Sequence, residues 1–397
     1  MKTNAPVSLF SRLESEIQNY YTSTVEIAEG VQFSQHKTIK RIYKFKSRDL
    51  TGTKINDDLS YNYWFDIIKP RLDASVKNLR FDTKNILAFS KNPNKDFPAV
   101  FLTNAMLKSW LMDNGEDTKL KETVEEYCAN GNVIFKKVKG GYERVNPLTT
   151  IVTNQTAETI DDTNLIEVHE MTASDLKKMD AWDKDAIQKT IEEMGDKSFK
   201  TAENATDTES SSNHYEIYEY TGEMSEREYN QLEDESAEGG EHTYFNAKVI
   251  VAGLHESGTG EKIVLFKEKL GSKKLSDYYK SAHFGEYQGR FWRVGVYEML
   301  MDHQIFANEL LNDLSKGLNW TSKVIFVSQD TTVMQNLRTD LENGDILNGG
   351  EDMRQLDVRL QNMDQINAAW QMVNDEADKI TNSYEVVRGE TAPSGTP

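Results

Sequence analysis

Near the end of the chain, apolar residues fall at alternating three- and four-residue steps: Met363, Ile366, Trp370, Val373, Ala377, Ile380, Tyr384 and Val387. A period of 3.5 predicts a helix with one narrow seam for a neighbouring helix. Upstream, a stripe at Val296, Leu300, His303, Ala307, Leu310 and Leu314 predicts another long helix, from about Gly289 to Lys316. Between the two, Val324-Ile325-Phe326-Val327 and Leu356, Val358 and Leu360 read as strands, with Asn343-Gly344 and Gly349-Gly350 as turns. A small β insert of this kind buries little surface by itself, so its edges are expected to pair with an adjacent copy.

The N-terminal part mixes both periods. Leu9 to Tyr43 gives short periodic pieces without a clear boundary. Helices are predicted over Leu59–Leu79, Asn104–Met112 and Lys119–Ala129, the last stopping at Asn130-Gly131. Val133–Val138 and Tyr142–Val145 read as a hairpin around Gly140-Gly141. Strands Thr150–Val152 and Leu165–His169 then lead into a helix from Ser174 to Gly195. Two more strands, Tyr244–Ala252 and Lys262–Phe266, follow. Hairpins outnumber strand–helix alternations, which makes the fold class α+β.

From Glu203 to Glu241, thirteen acids stand against the single Arg227, around one β-like run at His214–Tyr220. Low hydrophobicity with high charge predicts a flexible acidic loop over about 199–241, either plainly solvated or docking a partner.

Composition narrows the function classes. The 397-residue chain has room for two or three domains, and its 65 acidic against 46 basic side chains leave a net charge of −19. That balance argues against a tight phosphate-neutralising binder, although a surface that DNA passes without sticking remains compatible. With Cys128 the single cysteine, neither a disulfide within the chain nor a cysteine-based zinc site can form. Met1–Leu13 lacks the apolar core of a signal peptide, and no stretch reaches the ~18 apolar residues of a membrane span. The expectation is a soluble protein made in the cytoplasm.

The search for catalytic chemistry returns decoys. Gly253, Gly258, Gly260 and Lys262 lack the Gly-Lys-Ser/Thr of a phosphate loop and fit a hairpin turn. His169-Glu170 and His255-Glu256 start like a zinc-protease motif, but no second histidine follows four residues after the first. No Gly-x-Ser-x-Gly elbow occurs. His303 fits a packed helix position. No enzymatic activity, cofactor or metal is expected.

The order of features resembles the portal proteins of tailed bacteriophages, particularly podovirus-type and crAss-like phage portals. The resemblance rests on Val145-Asn146-Pro147 after a strand pair, a threonine-led helix with Leu176 and Trp182, and Gly289-Arg290 followed by Val294-Gly295-Val296-Tyr297-Glu298, Gln304 and Asn308. Gly344-Asp345-Ile346-Leu347 and Gly389-Glu390-Thr391-Ala392-Pro393-Ser394 complete it. It covers about two-thirds of the chain, and the order of the motifs carries more than any one of them.

The resemblance implies a wing over 1–287, a first stem helix over 288–323, a clip over 324–360 and a second stem helix over 361–388. Residues 389–397 would begin a tunnel and crown region, making the sequence the N-terminal part of a longer product. Val324, Phe326, Gly344, Ile346, Leu356 and Val358 would belong to the clip. The implied role is a homo-oligomeric ring, a dodecamer, at one capsid vertex of the virion. It would pass double-stranded DNA during packaging and ejection and dock the terminase, the major capsid protein and head-to-tail adaptor or tail proteins. Ring closure would bury the seam of Met363, Ile366, Trp370, Val373, Ala377 and Ile380 against a neighbour. Gln304 and Asn308, in a four-residue series with Asn312 and Lys316, are either ordinary polar positions of an amphipathic helix or a ladder meeting the adjacent subunit. Opposite the seam, Asp364, Gln371, Asp375 and Asp378 would line the DNA channel or form a plain solvated face. A coiled-coil scaffold or adaptor without a channel, and a hydrolase with a divergent acidic site, are the competing readings.

Overall fold

The computed structural model describes residues 8–48, 64–79, 86–91, 93–139, 141–194, 214–232, 243–254, 262–322, 325–327, 354–356 and 363–382. Helix α1 (Leu9–Thr22) is followed by a hairpin of β1 (Val25–Ala28) and β2 (Val31–Phe33), then α2 (Gln35–Lys46), α3 (Ile68–Leu79), α4 (Pro93–Asp113) and α5 (Glu116–Asn130). Strands β3 (Asn132–Val138), β4 (Gly141–Arg144), β5 (Thr150–Val152) and β6 (Leu165–Thr172) lead to short α6 (Ala173–Lys177) and α7 (Lys184–Met194). Next come β7 (His214–Ser225), α8 (Glu226–Gln231), β8 (Tyr244–Ala252), β9 (Ile263–Lys269) and β10 (Tyr279–His283). The chain continues with α9 (Val296–Ser322), β11 (Ile325–Val327), β12 (Arg354–Leu356) and α10 (Met363–Thr381). The fold is α+β.

Two units form. The first combines Met1–Tyr43 with Phe81–Gly295, the second Lys44–Arg80 with Val296–Pro397. The segment expected to belong wholly to a 1–287 wing is therefore divided, because Lys44–Arg80 groups with the C-terminal helices.

The first unit is built on an antiparallel sheet in the order β5-β6-β7-β8-β9. On one face, Leu9, Leu13 and Ile17 of α1 pack on Tyr218, Tyr220, Val249 and Val251. Ser8 caps that helix by accepting the Ser11 backbone N–H at 3.3 Å. Part of the other face is covered by Leu176, Ile187 and Trp182 against Tyr215, Ile217 and Ile250. A three-stranded sheet, β10-β3-β4, contributes Ile134 and Tyr279 to a further cluster with Phe291 and Trp292.

Several elements differ from the sequence-based expectation. The β-like run at His214–Tyr220 is a strand, but a longer one: β7 extends through Ser225 and is the central strand of the sheet, and Ser225 and Glu228 form a reciprocal capping box on α8. The rest of 199–241 lies outside the described residues. The helix expected over Ser174–Gly195 is two helices, with Asp183 accepting the Asp185 N–H at 2.9 Å to start the second. The helix expected from Leu59 begins at Ile68, and residues 59–63 lie outside the described residues. The first long helix begins at Val296 rather than Gly289 and runs to Ser322.

The reason for that late start is packing. Gly289 has φ +75°, and the segment after it threads Phe291 and Trp292 into the core, with the Trp292 indole N–H donating to the Asn130 carbonyl at 2.8 Å. Gly295 sits against the end of α5, where a Cβ would lie 2.5 Å from the Gly131 nitrogen and closer still to the Ala129 carbonyl. Gly131, at φ +82°, closes α5 in the left-handed conformation.

Candidate functional site

The second unit holds the residues that the sequence marked for assembly. Its α9 packs against α10 and α3. His303 lies 3.7 Å from Glu376, whereas Asn308, further along α9, accepts the N–H of Phe65, whose ring meets Trp370. This pairing makes α9 and α10 antiparallel. At ~1.5 Å per residue the 27 residues of α9 extend about 40 Å and the 19 residues of α10 about 28 Å. Beyond α9, Ile325–Val327 pairs antiparallel with Arg354–Leu356, so the expected insert contains a β pair that includes Phe326 and Leu356. Val324, Gly344, Ile346 and Val358 lie outside the described residues.

The first two members of the polar series on α9, Gln304 and Asn308, bond within their own unit. Fully buried Gln304 accepts the Ile67 N–H at 2.9 Å and donates to the Phe65 carbonyl and, at 3.1 Å, to Asn308 Oδ1. Asn308 accepts the Phe65 N–H at 3.2 Å. These amides satisfy the chain entering α3, where Phe65 and Ile67 have no helical partners. Within the chain, the Gln304 amide and the Asn308 carbonyl oxygen therefore act as a brace for the entry to α3, with both groups of the Gln304 amide engaged.

The seam of α10 divides. Val373 and Ala377 are buried, and Trp370 packs edge-to-face on Phe65 with centroids 4.3 Å apart. Ile366 is half-buried and Ile380 exposed, as is Met372 beside the seam; the side chain of Met363 lies outside the described residues. Tyr384 and Val387 also lie outside them. Much of the seam is therefore covered by this chain's own Phe65 and helices.

The opposite face divides too. Asp364, Gln371 and Asp375 are exposed, as a channel lining or a solvated face would require. Asp378 instead pairs at 2.8 Å with buried Arg71, which also donates to the Ile67 carbonyl at 2.8 Å and the Asn374 carbonyl at 3.0 Å. That guanidinium ties α3 to α10 through several acceptors, a use that suits its planar fork. Asp378 therefore belongs to the framework of the unit.

Sequence reading missed a charge network in the first unit. Glu167 and Glu219 face each other across β6 and β7. Lys136 of β3 reaches them at 2.9 and 2.6 Å, and Lys248 of β8 meets Glu219 at 2.8 Å. His169 Nε2 lies 3.2 Å from the other Glu219 oxygen, and the Tyr279 hydroxyl donates to Glu167. Burial would push the Glu219 carboxyl up, but the His169 hydrogen bond and the two ammonium groups outweigh it and hold the carboxyl well below the usual range. For Lys136, burial opposes the charge, and the two glutamates overcome it to raise its pKa. Tyr279 is raised well above an ordinary phenol, first by burial and then by Glu167 and Glu219, and stays protonated as a donor. These groups neutralise one another between two sheets. A signal existed in the alternation of Glu216, Tyr218 and Tyr220 with Ile217, Glu219 and Thr221, but its partners come from separate strands.

Cys128 is fully buried, and burial pushes its thiol up to about 11, which makes it a packed and unreactive residue. Among the described residues no helix is long and apolar enough to cross a membrane. In comparisons with known proteins, the chain matches no family model and no curated protein.

Proposed function

We propose that this chain is the ring-forming subunit of a phage-type portal, a structural conduit for double-stranded DNA at one capsid vertex. The observation that carries the reading is the helical hairpin of the second unit: long antiparallel α9 and α10, with a β pair inserted between them in sequence. This is the order in which a portal's stem, clip and stem occur, and it joins the motif resemblance at Gly289-Arg290 and Val294-Gly295-Val296. In this reading a dodecameric ring passes DNA and docks the terminase, the major capsid protein and the head-to-tail adaptor.

Negative-stain microscopy of the full chain, alone and in capsid particles, tests the proposal. Rings with a central hole are the expected result. Monomers or elongated low-order oligomers in both samples overturn it.

The exposed acids of α10 extend the reading to the channel wall. Acidic walls repel phosphate and keep DNA from adhering. Asp364→Lys with Asp375→Lys, leaving Asp378 in place for Arg71, should preserve rings but slow DNA packaging, with relief at higher salt as phosphate contacts are screened. Normal packaging by such rings at low and high salt would place this face away from DNA.

A further inference from the structure

Helix α4 carries an apolar surface left exposed among the described residues. Val100, Asn104, Leu107 and Leu111 make the narrow, partly shielded stripe by which it is held. Around the remaining circumference Phe97 is 69% exposed, Phe101 65% and Met106 72%, with Leu102, Trp110 and Met112 also exposed. A helix apolar on more than one face is ordinarily buried on more than one face. The preceding segment widens the surface. Asn104 accepts the Ala88 N–H at 2.7 Å and donates to the Ala88 carbonyl at 3.2 Å, which anchors exposed Ile86, Leu87 and Phe89 beside the helix.

Taking about 200 Å² for each large side chain, the exposed fractions amount to on the order of 1,000 Å². The largest apolar patch on an ordinary monomer is about 300–600 Å², and one side of a stable protein–protein interface buries about 800 Å². The surface is therefore large enough to hold a protein partner. Its chemistry selects which one. From Phe97 to Leu107 there is no charged residue, so nothing in that run would select an oppositely charged partner. Helices that lie in a membrane interface carry a Lys- and Arg-rich polar face, whereas α4 has Lys95 and Lys108 balanced by Asp96 and Asp113. Two copies of a chain with net charge −19 repel one another over most of their surface, and an uncharged apolar helix is where they can meet without that cost.

We infer that α4 with the adjoining Ile86–Phe89 segment is a contact between copies of this chain, buried when the chain self-associates. The inference does not need the portal reading, since it concerns the first unit and holds for any assembly of copies.

The test is Phe101→Glu with Met106→Glu in the full-length chain, both at exposed positions, with fold checked by circular dichroism. Native mass spectrometry and sedimentation should find the parent oligomeric and the variant's association at least about 30-fold weaker, as for central aromatic anchors of an interface. Should the charged pair disturb folding, Phe101→Ala with Met106→Ala reads the same loss in smaller degree. A parent that stays monomeric at high concentration, or a variant that associates as tightly as the parent, overturns the inference. So does a monomeric parent that binds phosphatidylcholine vesicles through α4, which would make lipid the occupant. Microscopy separates this outcome from the ring proposal. Non-ring oligomers lost in the variant uphold the α4 contact and defeat the ring, whereas rings that persist in the variant do the reverse.

Discussion

Replacing Glu219 by alanine should destabilise the first unit by about 3–5 kcal/mol, the range for removing one partner of a buried ion pair. The carboxylate is buried on the central strand and neutralises both Lys136, at 2.6 Å, and Lys248, at 2.8 Å. Its removal leaves Lys136 with Glu167 and strands the more accessible Lys248. Hydrogen exchange in β7 and denaturant unfolding read the loss, and unchanged protection of β7 would show that the network contributes little. The pH dependence has a definite sign. Because the folded-state pKa of Glu219 is depressed, its contribution is present above the ordinary value of 4.5 and is lost as pH falls through the lower folded value. Lys136, whose folded pKa is raised, contributes below its ordinary 10.5 and loses that contribution as pH rises through the higher folded value. Glu219→Gln should therefore flatten the acid limb of the stability curve while leaving the residue's shape in place. An acid limb identical to the parent's would place the acid sensitivity elsewhere.

Gly295→Ala should be comparably damaging for a steric reason. The added methyl would overlap the Ala129 carbonyl and the Gly131 nitrogen, both backbone atoms at the end of α5. No rotamer can move them aside. Relief requires pulling the Phe291–Gly295 segment away, and with it Trp292, whose indole bonds the Asn130 carbonyl. A loss of about 3 kcal/mol or more is expected, in the range of severe overpacking. Gly30→Ala is a useful control, since a Cβ there meets nothing within 4 Å and the change adds mainly the strain of φ +75°. That strain should cost roughly 1–2 kcal/mol. Equal unfolding midpoints for the two variants would show that the close approach at Gly295 is easily relieved.

The Gly295 result bears on what was legible. Gly289, Arg290 and Gly295 belonged to the stretch that carried the portal resemblance, yet periodicity extended the helix back through them. The structure places them in the first unit, where Phe291 and Trp292 are core residues and α9 starts only at Val296. Local pattern could not distinguish a helix turn from an extended segment buried by contacts with α5, because both present closely spaced apolar residues.

Gln304 and Asn308 carry the same lesson in another form. Their four-residue spacing marked one face of a helix correctly, but not what that face would meet. Phe65 and Ile67 lie far away in sequence, and only folding delivers their amides to α9. Asp378, alike with Asp375 in sequence, is separated from it by Arg71 alone.

What the sequence determined by itself was the local part of the fold. The α10 helix through Thr381, the hairpin of β3 and β4 and the stop of α5 at Gly131 depend on period, turn residues and capping within a few positions. Tertiary structure decided where charge and apolar surface could reside. β7 entered the core although its surroundings read as an acidic loop, because Lys136 and Lys248 on other strands neutralise Glu219 at short range. α4 keeps its aromatic residues exposed because, among the described residues, only its narrow stripe is shielded. Both outcomes turn on contacts between residues distant in sequence, and pairwise electrostatics and burial are set by distance in space, which periodicity along a chain does not encode.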